Sequence, residues 1–183
     1  MSDFFLDAAL LDELSARARS APRLRAHHNL HDSPEAPAHR LLVAMEPGSY
    51  VRPHRHLDPH KAETIIVLRG RLGVLVFDDE GRLQAAREMT PGGAVIGYNV
   101  PPGVFHSIVC LAAGTLFIEA KAGPYAVPLE AEDWWERLTA LLAQDGAATL
   151  STGIEDQRQL GEAIVRLQAT PIYVGPLSLY GTL

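Results

Sequence analysis

A mainly β chain, folded as a sandwich or jelly-roll barrel, is what the sequence predicts. From residue 40 to residue 121 it offers eight or nine short runs rich in Val, Ile, Leu and Phe, each closed by Gly, Pro or Asp at regular spacing. Asp78-Asp79-Glu80-Gly81 between two such runs is a strong hairpin signal. Ile65 and Val67 alternate with Ile66 and Leu68, and Leu75 and Phe77 with Val74 and Val76, so several strands are apolar on both faces. One face fills a barrel. The other needs a cover, from flanking helices or from a second subunit, and a homodimer is expected over a monomer with helices on both sheets.

Asp7 can cap a helix from about Ala8 to Arg19, with Leu10, Leu11 and Leu14 as its apolar stripe and Pro22 as its stop. It is expected to pack outside the barrel. Residues 23–39, with Pro34 and Pro37, read as a short extended piece plus loop. His27, His28 and His31 there read as surface or capping groups before site residues. Strands follow at Arg40–Met45, Tyr50–His56, Glu63–Leu68, Leu72–Phe77, Arg82–Glu88, Ala94–Tyr98, Phe105–Leu111 and Thr115–Lys121. From Leu129 the pattern turns helical: Glu130–Ala143 carries Trp134, Leu138, Leu141 and Leu142, Glu155–Leu167 carries Leu160 and Ile164, and an irregular tail closes the chain. Three parts are expected: 1–39 packing on the barrel, the barrel at 40–128, and a helical C-terminal extension at 129–183.

The 183 residues suit one domain with an appendage, and 47% hydrophobic with 21% charged residues is ordinary globular composition. A net charge of −6 offers no field for nucleic acid. One cysteine excludes an internal disulfide, and no signal-peptide pattern or membrane-length apolar run is visible, so a cytoplasmic protein without membrane contact is expected. Cys110 itself reads as a small buried hydrophobe.

The chemistry gathers in Gly48-Ser49-Tyr50-Val51-Arg52-Pro53-His54-Arg55-His56. Successive side chains of a strand alternate faces, so His54 and His56 project to one side and can share an ion. Glu63 opens the next strong strand and can swing a carboxylate toward them, although Asp58 and His60 in the intervening loop compete for that role. A fourth candidate, His106, is delivered by Pro101-Pro102-Gly103-Val104-Phe105. Three imidazoles and a carboxylate suit Fe, Mn, Ni, Co, Cu or Zn without choosing among them. Such an ion can act as a Lewis acid, activate oxygen, or simply tie two hairpins together.

The first stretch resembles cupin motif 1, G-x5-H-x-H-x(3,4)-E-x6-G, and the second resembles motif 2, P-x-G-x-x-H. Six residues, Leu57 to Ala62, stand between His56 and Glu63 where the motif has three or four, and Cys110 replaces the usual closing asparagine. More closely, Arg40-Leu41-Leu42, Glu46-Pro47-Gly48, Tyr50 to His56 and Leu68-Arg69-Gly70 resemble the WbuC-type cupin-fold metalloproteins found with O-antigen biosynthesis functions. The resemblance implies a cupin jelly-roll barrel and one divalent metal on His54, His56, Glu63 and His106.

Alternation also puts Arg52 on the His54 face, where a guanidinium fits a carboxylate, phosphate or sugar-phosphate ligand; a rim salt bridge is the competing reading. Tyr50, Tyr98 and Asn99 are further candidates for substrate binding near the mouth. Two functions stay open: a metalloenzyme, oxygenase or isomerase/epimerase, acting on a small anionic or sugar-derived molecule, and a non-catalytic module that binds such a molecule through the metal.

Overall fold

The computed structural model describes residues 5–130, and the expected C-terminal helices and tail lie outside them. The described residues form one helix and ten strands in two five-stranded antiparallel sheets, ordered β1-β2-β9-β4-β7 and β10-β3-β8-β5-β6. The strands are β1 (Arg25–Asn29), β2 (Ala38–Met45), β3 (Tyr50–Arg55), β4 (Glu63–Arg69), β5 (Leu72–Phe77), β6 (Leu83–Met89), β7 (Gly97–Val100), β8 (Phe105–Cys110), β9 (Thr115–Ala122) and β10 (Leu129–Glu130).

Strand pairing shows the winding. β5 pairs with β6, β4 with β7, β3 with β8 and β2 with β9, all antiparallel. The chain is therefore one long doubled ribbon, turned back at Asp78–Gly81 and rolled so that successive rungs fall in alternate sheets. This is the jelly-roll winding that the turn spacing predicts. It sets residues of β3 directly opposite residues of β8, some fifty positions further along the chain.

Helix α1 (Ala8–Ser20) begins where Asp7 leaves helical geometry and its carboxylate accepts the Leu10 N–H at 2.9 Å. Arg17 and Arg19 sit in its last turn, where positive charge is favoured by the helix dipole. Leu14 and Ala18 bury against Leu42 and Ala44 of β2 and Leu116 of β9, with Ala26 and Ile118 alongside. Those are the alternate residues of their strands. The others, Val43, Met45 and Phe117, point into the sandwich and join Ile65, Val67, Leu72, Val74, Ile108 and Cys110 in the main core. One sheet is thus covered outside by α1 and fills the core inside, as its two-faced strands require. In the other sheet Leu75 and Val109, which alternate with the core-facing Val74 and Ile108, are fully buried too.

Several expectations shift. Residues 25–29, read as part of an extended piece, form a full edge strand on β2. The strand expected at Ala94–Tyr98 begins only at Gly97, because Thr90 N–H bonds to the Val95 carbonyl and Val67 N–H to the Ile96 carbonyl, which holds 90–96 as a curl over the edge. Gly97 then allows close approach to β4: a Cβ there would stand 2.1 Å from the Ile65 carbonyl oxygen. Gly97→Ala is expected to push β7 off β4 and cost about 1–3 kcal/mol, read as a lowered thermal midpoint. An unchanged midpoint would show that the strand can slide without cost. Among the described residues no helix is long and apolar enough to cross a membrane.

Candidate metal centre

β3 and β8 bring the first two histidines together. His54 stands opposite His106 in the register, and their ring centroids are 4.3 Å apart. His54 Nδ1 lies 2.9 Å from the Arg52 carbonyl and His106 Nδ1 lies 3.0 Å from that of Val104. A carbonyl only accepts, so each Nδ1 carries the proton and each Nε2 keeps a free lone pair. This is the outer bond that orients a metal-ligating imidazole. His56 follows immediately after β3, and Glu63, from the start of β4 in the other sheet, closes the group with Oε2 3.1 Å from His56 Nε2 and Oε1 3.6 Å from His106 Nε2.

Each of these four residues offers a ligand atom, and those atoms all lie within 4.8 Å of one another. An ion bonded at roughly 2.0–2.2 Å would hold opposite ligands no more than about 4.4 Å apart, so a contraction of a few tenths of an ångström completes the fit. His106 is 1% exposed and its Nε2 has no hydrogen-bond partner. A buried imidazole nitrogen with nothing to bind is costly unless something fills the place. The residues fit a divalent ion on both counts.

Asp58 and His60 turn away. Both are exposed, and the Asp58 carboxylate accepts the His60 N–H at 2.9 Å within a local turn of the lengthened loop. Glu63 is 3% exposed. Arg52 is exposed, and the β3–β8 pairing shifts register between Val51 and His54, which interrupts the alternation that placed it with the histidines. Tyr50 opens β3 opposite Val109. Tyr98 faces inward and its hydroxyl donates to Glu63 Oε1 at 3.4 Å, whereas Asn99 is exposed and its Oδ1 accepts the Thr64 hydroxyl at 2.7 Å. His31 stacks on His39, with ring centroids 4.1 Å apart, outside the cluster.

Two residues the sequence reading did not single out complete the interior. On β9, Glu119 and Lys121 share the Phe117 face. Lys121 Nζ lies 2.6 Å from Glu119 Oε1 and 3.3 Å from Glu63 Oε2, so one ammonium serves two buried carboxylates. The alternation Phe117, Glu119, Lys121 in a strand otherwise apolar was the available signal. Lys61 is also buried, and its ammonium donates to the Ala122 and Pro124 carbonyls.

The electrostatics follow from this packing. Burial alone would push the Glu63 carboxyl up, but the neighbouring His106 and His56 imidazoles and the Lys121 charge together hold it well below the usual carboxylate range. Burial, then Glu63, pushes the Glu119 carboxyl up. Burial and the Glu63 charge raise the Tyr98 hydroxyl well above its ordinary value. Burial, then the neighbouring His106, lowers His54 from 6.5 to about 4. Without an ion, the unfolded chain therefore takes up the His54 proton first as pH falls. Stability is complete above about 6.5 and drains toward about 4, at up to ~1.4 kcal/mol per pH unit for this one group. Urea midpoints of the metal-free protein at pH 7, 5.5 and 4.5 should trace that decline, and His54→Gln should flatten it; equal slopes in both proteins would rule His54 out as its source.

A family described as a domain of unknown function (DUF6016) matches residues 6–89. No curated protein matches the chain. Among solved structures, the chain is similar to KdgF from Halomonas sp., at 20% identity over 58% of this chain and 85% of that one, with a TM-score of 0.44. It is similar to oxalate decarboxylase from Bacillus subtilis at pH 4.6, at 20% identity over 68% of this chain and 32% of that one, with a TM-score of 0.47. It thus spans about a third of that decarboxylase. A conserved protein of unknown function from Streptococcus pyogenes, SPY1581, is 13% identical over 58% of this chain and 80% of that one, with a TM-score of 0.44.

Proposed function

We propose that this chain is a cupin-type metalloprotein that holds one divalent transition metal through His54, His56, Glu63 and His106, and that it acts on a small anionic or sugar-derived molecule. The observation that carries this reading is the pair of Nε2 lone pairs of His54 and His106, freed by backbone carbonyls and aimed at a shared buried centre, one of them with no partner. Bound there, the ion supplies a Lewis acid with coordination positions beyond the four protein ligands.

The chain's own residues then divide the work. The Arg52 and Val104 carbonyls fix the imidazoles, Lys121 keeps Glu63 ionised and directed inward, and Tyr98 holds a hydroxyl proton at Glu63 Oε1. Motifs 1 and 2 support the cupin reading. The closer likeness to WbuC-type proteins supports a place in surface-polysaccharide chemistry; the single cysteine supports a cytoplasmic location and the strands apolar on both faces a homodimer, as parts of the same proposal, with Arg52, Tyr50 and Asn99 as substrate-side residues.

The test is to load the full chain anaerobically with Fe(II), Mn(II), Ni(II) or Zn(II), screen nucleotide sugars and keto acids for turnover, and compare His54→Ala. Turnover lost in the variant supports an enzyme. Saturable binding without product under every metal replaces it with a binding module.

A further inference from the structure

β6 and β7 are edge strands, one of each sheet, and they do not pair with each other. A cavity of about 510 Å3 occupies the gap, with Gln84, Ala85 and Arg87 of β6 on one side and Tyr98 and Asn99 of β7 on the other. That volume falls in the range of small-molecule sites. Its lining contains none of the four candidate ligands but does contain neighbours of two of them. Ala85 pairs with Val76, and Val76 pairs with His106, on one rung of the sheet. Tyr98, on the opposite wall, is the residue bonded to Glu63.

The chemistry of the walls is lopsided. Val74, Val76, Val95, Val100 and Phe105 line the cavity and bring no side-chain hydrogen-bonding group. The two carboxylates at the rim are already engaged: Asp78 accepts from Arg82 Nε at 2.6 Å and from Gln84 Nε2 at 3.0 Å, and Asp79 accepts from Arg55 at 2.6 Å. Arg87 is different. It is the one cationic residue in the lining, its Nη1 donates to the Ala86 carbonyl at 2.7 Å, and no carboxylate among the described residues pairs with it. The other polar side chains of the lining are partly engaged too, Gln84 on Asp78, Asn99 Oδ1 on Thr64 and the Tyr98 hydroxyl on Glu63, so a ligand rich in hydroxyls would bury more groups than these walls can satisfy. A hydrocarbon body with one negative end meets both features.

We infer that the slot between β6 and β7 binds a small organic acid with an apolar body, its carboxylate held at the mouth by Arg87 and its hydrocarbon running inward past Ala85 and Val76 toward His106. This narrows the proposed ligand from anionic or sugar-derived to anionic and apolar. It rests on the metal-centre reading for what becomes of the acid, and on the slot alone for its binding.

Calorimetric titration of the full chain with butanoate, hexanoate, octanoate and gluconate tests this, with metal stoichiometry measured on the same samples. Each added methylene that enters the slot should tighten binding about fourfold. Gluconate, with the carbon count of hexanoate and the same charge, should bind at least about tenfold more weakly than hexanoate. Arg87→Gln, at an exposed position that leaves the core intact, should weaken every acid about three- to fivefold while keeping the chain-length trend. Ala85→Phe, which fills the slot, should abolish the trend and leave metal stoichiometry unchanged. A flat series, gluconate equal to hexanoate, or a trend that survives Ala85→Phe in the folded protein would overturn the inference. Loss of metal stoichiometry in the parent chain would strike the metal-centre reading, and the acid series would still decide the slot.

Discussion

His106→Ala should abolish tight divalent-metal binding, with a loss of more than about 100-fold in affinity. Removing a mere outer-shell partner of a ligand typically costs 10–100-fold, and His106 is itself the imidazole whose Nε2 has no other bonding partner. It is also 1% exposed, so the lost nitrogen is not replaced by a neighbouring surface group. Cobalt(II) titration followed by visible absorption, together with metal analysis after dialysis, measures the effect. Far-ultraviolet circular dichroism should still report the sheets, because the Phe105–Phe77 and Ser107–Leu75 pairs keep the β5–β8 ladder in place on either side of the substitution. Full stoichiometry and unaltered affinity in a folded variant would remove His106 from the ligand set and with it the proposed centre.

Lys121→Met should have the largest effect on stability. It strips the ammonium from two carboxylates that are 4% and 13% exposed, Glu63 and Glu119. Breaking a buried charge group by removing one member costs about 3–5 kcal/mol, since the partners remain buried without compensation. Urea unfolding should show a loss of roughly 3 kcal/mol in the metal-free protein. A divalent ion bonded to Glu63 supplies positive charge at the same oxygen pair, so saturating metal should restore part of the loss. If the metal-free variant matches the parent, the two carboxylates share a proton and the ammonium is not what holds them. If metal restores nothing, the ion does not sit against Glu63.

Much of the architecture was legible because turn chemistry is local. Asp78–Gly81, Pro47-Gly48 and Pro101–Gly103 each mark a reversal in their own few residues, and the strands between them follow. The candidate ligands were legible for a related reason: His54 and His56 stand two residues apart at the end of one expected strand, and His106 sits closely behind a Pro-Pro-Gly turn. What local signals did not settle was pairing. That His54 faces His106 depends on how the doubled ribbon rolls, which no short window contains. The choice among Glu63, Asp58 and His60 had the same character, because a six-residue loop permits any of them until the loop's own Asp58–His60 turn directs those two outward. Arg52 shows the opposite case. Strict alternation gave it a face, and a register shift between Val51 and His54 interrupts that alternation. Glu119 and Lys121 went unmarked because charged residues near a strand end are usually solvated, whereas here they turn inward below the centre.

The four candidate ligands come from both sheets: His54 and His106 from one, Glu63 from the other, with His56 on the connection between them. An ion bonded to all four would act as a rivet between the halves of the sandwich. It can be seated only after the roll is complete, since the uncoiled chain offers no more than the His54–His56 pair at close range. Capture then belongs to the end of folding and leaves its rate alone. Its effect falls on escape, because prising the layers apart and releasing the ion become a single event.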